Sequence, residues 1–280
     1  MSLFKLRLFG KRNLNIFLSA ILLVLILFYW RSPATVTTPV KILLPLYAYP
    51  TWYESKTYIW KDVVAAADKV PITAIINPNN GPDGQPPNED YARGLKDLGQ
   101  ADITLLGYVY TKYGDRAIAE VKQDINLYYQ HYNLDGIFLD EAASSSDKLD
   151  YYQDIYNYIK TETNLNRVII NPGTHTDERY FSQGATDTAV IFEQNSQAWT
   201  EYQPQPYAKN YPTEHFASLI HSVPDAATMK SHINRAVERH FGYIYVTDDS
   251  LTTANGDPWD SLPLYWKEEV EYVRSLNLVN

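Results

Sequence analysis

Three carboxylates stand where apolar runs end. Gly136-Ile-Phe-Leu finishes on the adjacent pair Asp140 and Glu141, and TAVIFEQ (188–194) places Glu193 directly behind Val190-Ile-Phe. Two acids astride a glycosidic bond, one protonating the leaving oxygen and one stabilising the oxocarbenium ion, are what glycoside hydrolysis needs. Neighbouring acids also push each other's pKa values apart, which separates acid from nucleophile. The plainer reading of an acid after a strand is a helix cap or a solvated loop residue. The apolar residues directly before Glu193 argue against that reading there.

Other chemistries find less in the chain. There is no cysteine, so thiol catalysis and disulfide staples are excluded. The six histidines are scattered, with no HExxH or HxH, and His175 is a lone loop histidine. No metal or other cofactor is expected. A Gly-x-Ser-x-Gly elbow and a P-loop are both missing, which disfavours a serine esterase and a nucleotide-phosphate site.

The acids need a scaffold, and the order of elements supplies one. Short apolar runs at 41–49, 72–78, 103–111, 136–141, 167–173, 188–194, 216–223 and 243–249 read as strands. Helical segments are expected at 55–69, 89–101, 115–132, about 149–159, 178–183, 197–202, 225–240 and 262–276, with Asp225 near a cap. Unbroken apolar strands fit a parallel sheet covered on both faces. Eight such βα units in about 250 residues predict a single α/β domain, a (β/α)8 TIM barrel. An open doubly wound sheet is the alternative, but no G-x-G-x-x-G turn follows the first strand.

In a barrel, chemistry gathers at the C-terminal ends of strands. Those ends carry Tyr47 and Tyr49, Asn77, Tyr108 and Tyr110, Asp140 and Glu141, Asn171, Glu193, His221, then Asp248 and Asp249. Tyr47, Tyr49, Asn77, Tyr108, Asn171, His221 and Asp248 are the candidate substrate-binding residues. Each has a plainer role too. Asn77 and Asn171 precede prolines and shape turns; His221 is a satisfied core histidine; Asp248 caps or solvates; Tyr47, Tyr49 and Trp52 pack.

The first forty residues are a separate object. Residues 1–13 form a basic tail, and Leu14 to Trp30 is an apolar run about long enough for a bilayer span. The basic residues ahead of it orient the tail to the cytoplasm. A cleaved signal peptide is the competitor, but the run is long and ends in Phe28-Tyr29-Trp30 rather than an A-x-A site. Residues 31–39 read as a linker, and 40–280 as the barrel. The expectation is therefore a signal-anchored, extracytoplasmic domain, periplasmic or at the cell surface, and monomeric. Residues 1–31 hold five of the 24 basic residues and no acids, which leaves 19 against 33 acids and a formal charge of −14 outside them. Nucleic acid is excluded as a partner on that balance. A cationic polymer would be attracted, although acidity also serves solubility.

Five stretches then carry a resemblance: PLYAYPTW (45–52), IINPNNGP (75–82), LLGYVYTKYGDR (105–116), YNLDGIFLDE (132–141) and VIFEQ (190–194). In this order they resemble the spherulin 4 family from about Leu43 to the last helix. The resemblance implies a (β/α)8 barrel and the activity of glycoside hydrolase family 135, cleavage of α-1,4-linked N-acetylgalactosamine in galactosaminogalactan, a biofilm exopolysaccharide. It places the family's Asp-Glu pair on Asp140 and Glu141 and its later glutamate on Glu193. An amino-sugar polysaccharide is thus the expected partner, with Asp140 as nucleophile, Glu193 as general acid/base, and Glu141 positioning the sugar or tuning Asp140. If the substrate is N-acetylated, its own 2-acetamido group is the alternative nucleophile, with Asp140 orienting it. A non-catalytic polysaccharide-binding protein and a polysaccharide deacetylase are the rivals.

Overall fold

The computed structural model describes residues 38–279 apart from 55, 85 and 253–255. The expected tail and anchor, 1–30, and most of the linker lie outside them. Among the described residues no helix is long and apolar enough to cross a membrane.

Eight parallel strands close into a barrel in chain order: β1 (Lys41–Leu46), β2 (Ile72–Ile76), β3 (Thr104–Tyr110), β4 (Gly136–Asp140), β5 (Arg167–Ile170), β6 (Thr188–Asn195), β7 (Phe216–His221) and β8 (Tyr243–Val246). The seam is made by Lys41 opposite Tyr243 and Ile42 opposite Ile244. All five residues of β2 and all six of β7 are buried. Runs such as ITAII have no polar face because helices cover the outside while side chains fill the inside. Most strands stop earlier than their apolar runs suggest. β1 ends at Leu46, so Tyr47 and Tyr49 lie beyond the ladder, and Asn171, Asp248 and Asp249 likewise follow their strands.

The covering helices are α1 (Trp60–Ala67), α2 (Glu89–Gln100), α3 (Ile118–His131), α4 (Leu149–Glu162), α5 (Arg179–Ser182), α6 (Ser196–Glu201), α7 (Ala226–Glu238) and α8 (Trp266–Val279). Side-chain caps start three of them. Asn88 accepts from the Tyr91 amide at 3.0 Å, Asn195 from Ala198 at 2.9 Å, and Asp225 from Thr228 at 2.8 Å. Each satisfies an amide that has no partner within its helix. The expected helix at 55–69 starts only at Trp60, with turns at 52–53, 56–57 and 59 ahead of it.

Packing of α3 shows how tightly helix and strand meet. Val121, Ile125 and Tyr128 form its buried face. A Cβ at Gly107 of β3 would stand 2.7 Å from the Tyr128 ring, so only glycine lets that ring lie on the strand. The same helix anchors the loop above β3. Arg116 pairs with Asp124 at 2.7 Å and lies over the Tyr110 ring, 4.2 Å from its centre.

Candidate active site

Asp140 ends β4 and receives two hydrogen bonds. The Tyr108 hydroxyl donates to Oδ2 at 2.6 Å, and the Asn171 side-chain amide donates to Oδ1 at 2.7 Å. The same amide nitrogen donates to Glu193 Oε2 at 2.6 Å. Since 2.7 and 2.6 Å add to 5.3 Å, the two carboxylate oxygens that share it are no farther apart than that. Asn171 is buried, and its own Oδ1 has no hydrogen-bond partner among the described residues. Its backbone is fixed between strands: its N–H donates to Leu139 and its carbonyl accepts from Ala142.

Glu193 owes its aim to an irregularity in β6. The register with β7 shifts between Val190 and Phe192, so Glu193 lies opposite Leu219. The Ala189–Phe216 pairing, continued without the shift, would have put Ile220 there. Such bulges re-aim side chains near functional sites. Gly173 fits into the bend. Its N–H donates to the Val190 carbonyl, and its carbonyl accepts from the Glu193 N–H, both at 3.0 Å. Its φ of 65° favours glycine, and an added Cβ would touch the Glu193 side chain at 3.5 Å.

The electrostatics separate the two acids. Burial first, and the Asp140 charge second, push the Glu193 carboxyl up to about 7. Hydrogen bonds from Asn171 and Trp259 pull the other way, and the Asp257 charge adds to the rise. Burial and then Asp140 raise the hydroxyls of Tyr47 and Tyr108, which therefore remain donors. Their rings meet edge to face with centroids 5.8 Å apart. Glu141 follows with a positive φ of 48°, and its carbonyl is tied to the loop after β3 through Tyr113 and Thr111.

This constellation stands in a recognisable sequence. The family model described as "Spherulation-specific family 4" matches residues 41–273. The chain belongs to the spherulin 4 family. Spherulin-4 of Physarum polycephalum is 35% identical over 259 residues, covering 89% of this chain and 74% of the relative. Among solved structures, Aspergillus clavatus Sph3 in complex with GalNAc is 27% identical with a TM-score of 0.72, over 85% of this chain and 98% of that one.

The structure brings together only part of the strand-end list. Asp140, Glu193, Asn171, Tyr108 and Tyr47 form one group. His221 borders it: its ring meets Trp259 edge-on at 6.2 Å, and its Nδ1 pairs with the Ser222 hydroxyl. Three residues are occupied elsewhere. Tyr49 donates to Asp90 at the start of α2, and Asn77 accepts from the Gly81 amide within its own loop. Asp248 accepts from the Leu264 amide ahead of α8. Residues near the end of a strand point in several directions, and position alone does not select the inward ones.

Trp259 and Asp257 were not expected. Both lie in the loop after β8, where Asp257 accepts from the Trp259 amide at 2.9 Å and the Trp259 ring is buried against His221 and Tyr245. The string NGDPWD reads as a turn. The available signal was a tryptophan inside it, since so large an apolar ring in a polar turn needs somewhere to pack. No group of three or more His, Asp or Glu side chains suited to a metal occurs among the described residues.

Proposed function

We propose that this chain is a retaining, endo-acting glycoside hydrolase of an amino-sugar exopolysaccharide with α-1,4-linked N-acetylgalactosamine or galactosamine units. The observation that carries the reading is the Asn171 amide held between Asp140 and Glu193. Carboxyl groups about 5–5.5 Å apart suit a protein nucleophile and retention, whereas inversion needs about 6.5–9.5 Å to admit water. The 5.3 Å ceiling on the nearest oxygens supports the former. Membership of the spherulin 4 family and the likeness to a GalNAc-bound relative support the substrate class.

In this mechanism Glu193, with a pKa of about 7, enters protonated and gives its proton to the leaving glycosidic oxygen. The Asp140 carboxylate forms a bond to C1 as the C1–O bond breaks. Asn171 and Tyr108 hold Asp140 in line. Glu193, now a carboxylate, then takes a proton from water as that water attacks C1 and Asp140 departs. Tyr47 and Glu141 position the sugar. The anchor at Leu14–Trp30 would hold the barrel outside the cytoplasm.

The test is to incubate the protein with a panel of amino-sugar exopolysaccharides and read the products by mass spectrometry and NMR. Oligosaccharides of mixed length, released first as the anomer of the parent linkage, are expected. Binding without release from every polymer would make the chain a carbohydrate-binding protein instead.

A further inference from the structure

The loop after β3 holds backbone strain beside the carboxylates. Lys112, Tyr113 and Gly114 all have positive φ, at 49°, 54° and 80°. In this region an L-residue's Cβ crowds the following carbonyl oxygen, so a tyrosine there needs a cause. Burial of the ring is not that cause, because Tyr113 is 61% exposed.

Contacts on several sides fix the loop. The Tyr113 N–H donates to the Glu141 carbonyl at 2.6 Å, and the Gly114 and Arg116 amides both donate to the Thr111 carbonyl at 3.1 Å. Buried Thr111 shares its hydroxyl between the carbonyls of Asp140 and Glu141, at 3.0 and 2.9 Å, and also meets the Tyr152 hydroxyl. From the other side Lys148 reaches the Gly114 carbonyl at 3.2 Å and the Asp115 carboxylate at 2.6 Å. Arg116 ties the far end to α3. The result is a many-bonded support, tied through the Tyr113 backbone N–H to the Glu141 carbonyl, that leaves one aromatic ring exposed. Local strain maintained by the surrounding structure is a mark of functional positions.

We propose that Tyr113 is a sugar-stacking platform of the candidate active site, receiving the C–H face of a pyranose ring next to the one cleaved. An amphipathic ring with few rotatable bonds suits that face and loses little freedom on binding. The inference rests on the reading of the chain as an amino-sugar polymer hydrolase, and it names a residue that sets how the polymer lies beside Asp140 and Glu141.

Glycine adopts positive φ without steric penalty. Tyr113→Gly therefore removes the ring while relieving the backbone, and Tyr113→Phe keeps the ring. The probe is an α-1,4-linked N-acetylgalactosamine oligosaccharide, titrated calorimetrically into the full chain carrying Glu193→Gln, whose turnover is expected to be slowed about 10²–10⁴-fold so that binding is read before cleavage. Adding Tyr113→Gly is expected to weaken affinity about tenfold while the melting temperature holds or rises, and Tyr113→Phe to restore most of the affinity. In the catalytically intact chain the loss should fall mainly on KM. Unchanged affinity on adding Tyr113→Gly, in a chain that binds the sugar, overturns the platform alone. A chain that neither binds the oligosaccharide nor cleaves any polymer overturns the platform together with the proposed function.

Discussion

The Tyr108 hydroxyl stands 2.6 Å from Asp140 Oδ2. It is a directed donor on the proposed nucleophile, carried by the neighbouring strand. Hydrogen bonds to charged groups contribute about 1.5–3 kcal/mol. Tyr108→Phe is expected to lower kcat/KM by roughly tenfold to a hundredfold, with the melting temperature little changed. Steady-state kinetics on the cleaved polymer check this, and a loss smaller than threefold would remove Tyr108 from the site's machinery.

Asp140→Asn and Glu193→Gln preserve volume and remove charge and proton transfer. Each should keep the fold and lose about 10²–10⁴-fold in turnover. Circular dichroism and initial rates on the same preparations decide it. Losses below tenfold at both positions would favour the binding-protein reading.

The pH profile should report Glu193. Its carboxyl, raised to about 7, must be protonated to act as the acid, so kcat/KM should fall as pH rises through that value. Stability follows the same proton. With a folded-state pKa above the unfolded one, the folded protein binds the extra proton between 4.5 and about 7. The group's contribution is thus complete below 4.5 and is lost as pH rises to about 7. Glu193→Gln should therefore be more stable than wild type above pH 7, by up to about 3 kcal/mol, and lose that advantage near pH 4. Denaturant melts at the two pH values measure it; equal stabilities at both would mean that Glu193 ionises normally.

Glu269 on α8 offers a stability test away from the site. It is fully buried, accepts from the Val246 amide at 3.0 Å, and its Oε2 has no hydrogen-bond partner among the described residues. Burial raises its carboxyl well above the ordinary value, so its contribution also declines as pH rises above the unfolded pKa. Glu269→Gln keeps the acceptor for Val246 and should flatten the alkaline fall in melting temperature. Glu269→Leu strands that amide and should destabilise by about 1–3 kcal/mol at acidic pH, a cost that shrinks as pH rises and the wild-type carboxyl loses its contribution. An alkaline limb unaltered by Glu269→Gln would show that another group causes it.

The barrel was legible because its strands are buried on both faces. ITAII and RVII carry no polar residue inside the ladder apart from Thr73 and the leading Arg167, so their apolar runs stand out against the amphipathic helices. The position of Asp140 was legible for the same reason, since it closes both its apolar run and β4; Glu193 closes its apolar run too, but β6 continues past it to Asn195. Direction was not. Asn171 was read as a turn former or a sugar contact, and its place between two carboxylates depends on three strands meeting at one rim. Tyr49 and Asp248 sit at strand ends just as Tyr47 does, yet bond to α2 and to the chain entering α8. Trp259 reaches Glu193 from a loop more than sixty residues downstream, a proximity that no local period encodes.

The register shift at Val190–Phe192 makes the catalytic reading of VIFEQ a question of parity. Side chains along a strand alternate between faces, so one residue more or fewer before the glutamate exchanges inside for outside. A relative could keep the five letters, lose the extra residue, and turn the same acid toward its helices. Judging which relatives can be active therefore requires counting residues between the start of β6 and the glutamate, along with the glycine that fills the bend, rather than finding the glutamate alone.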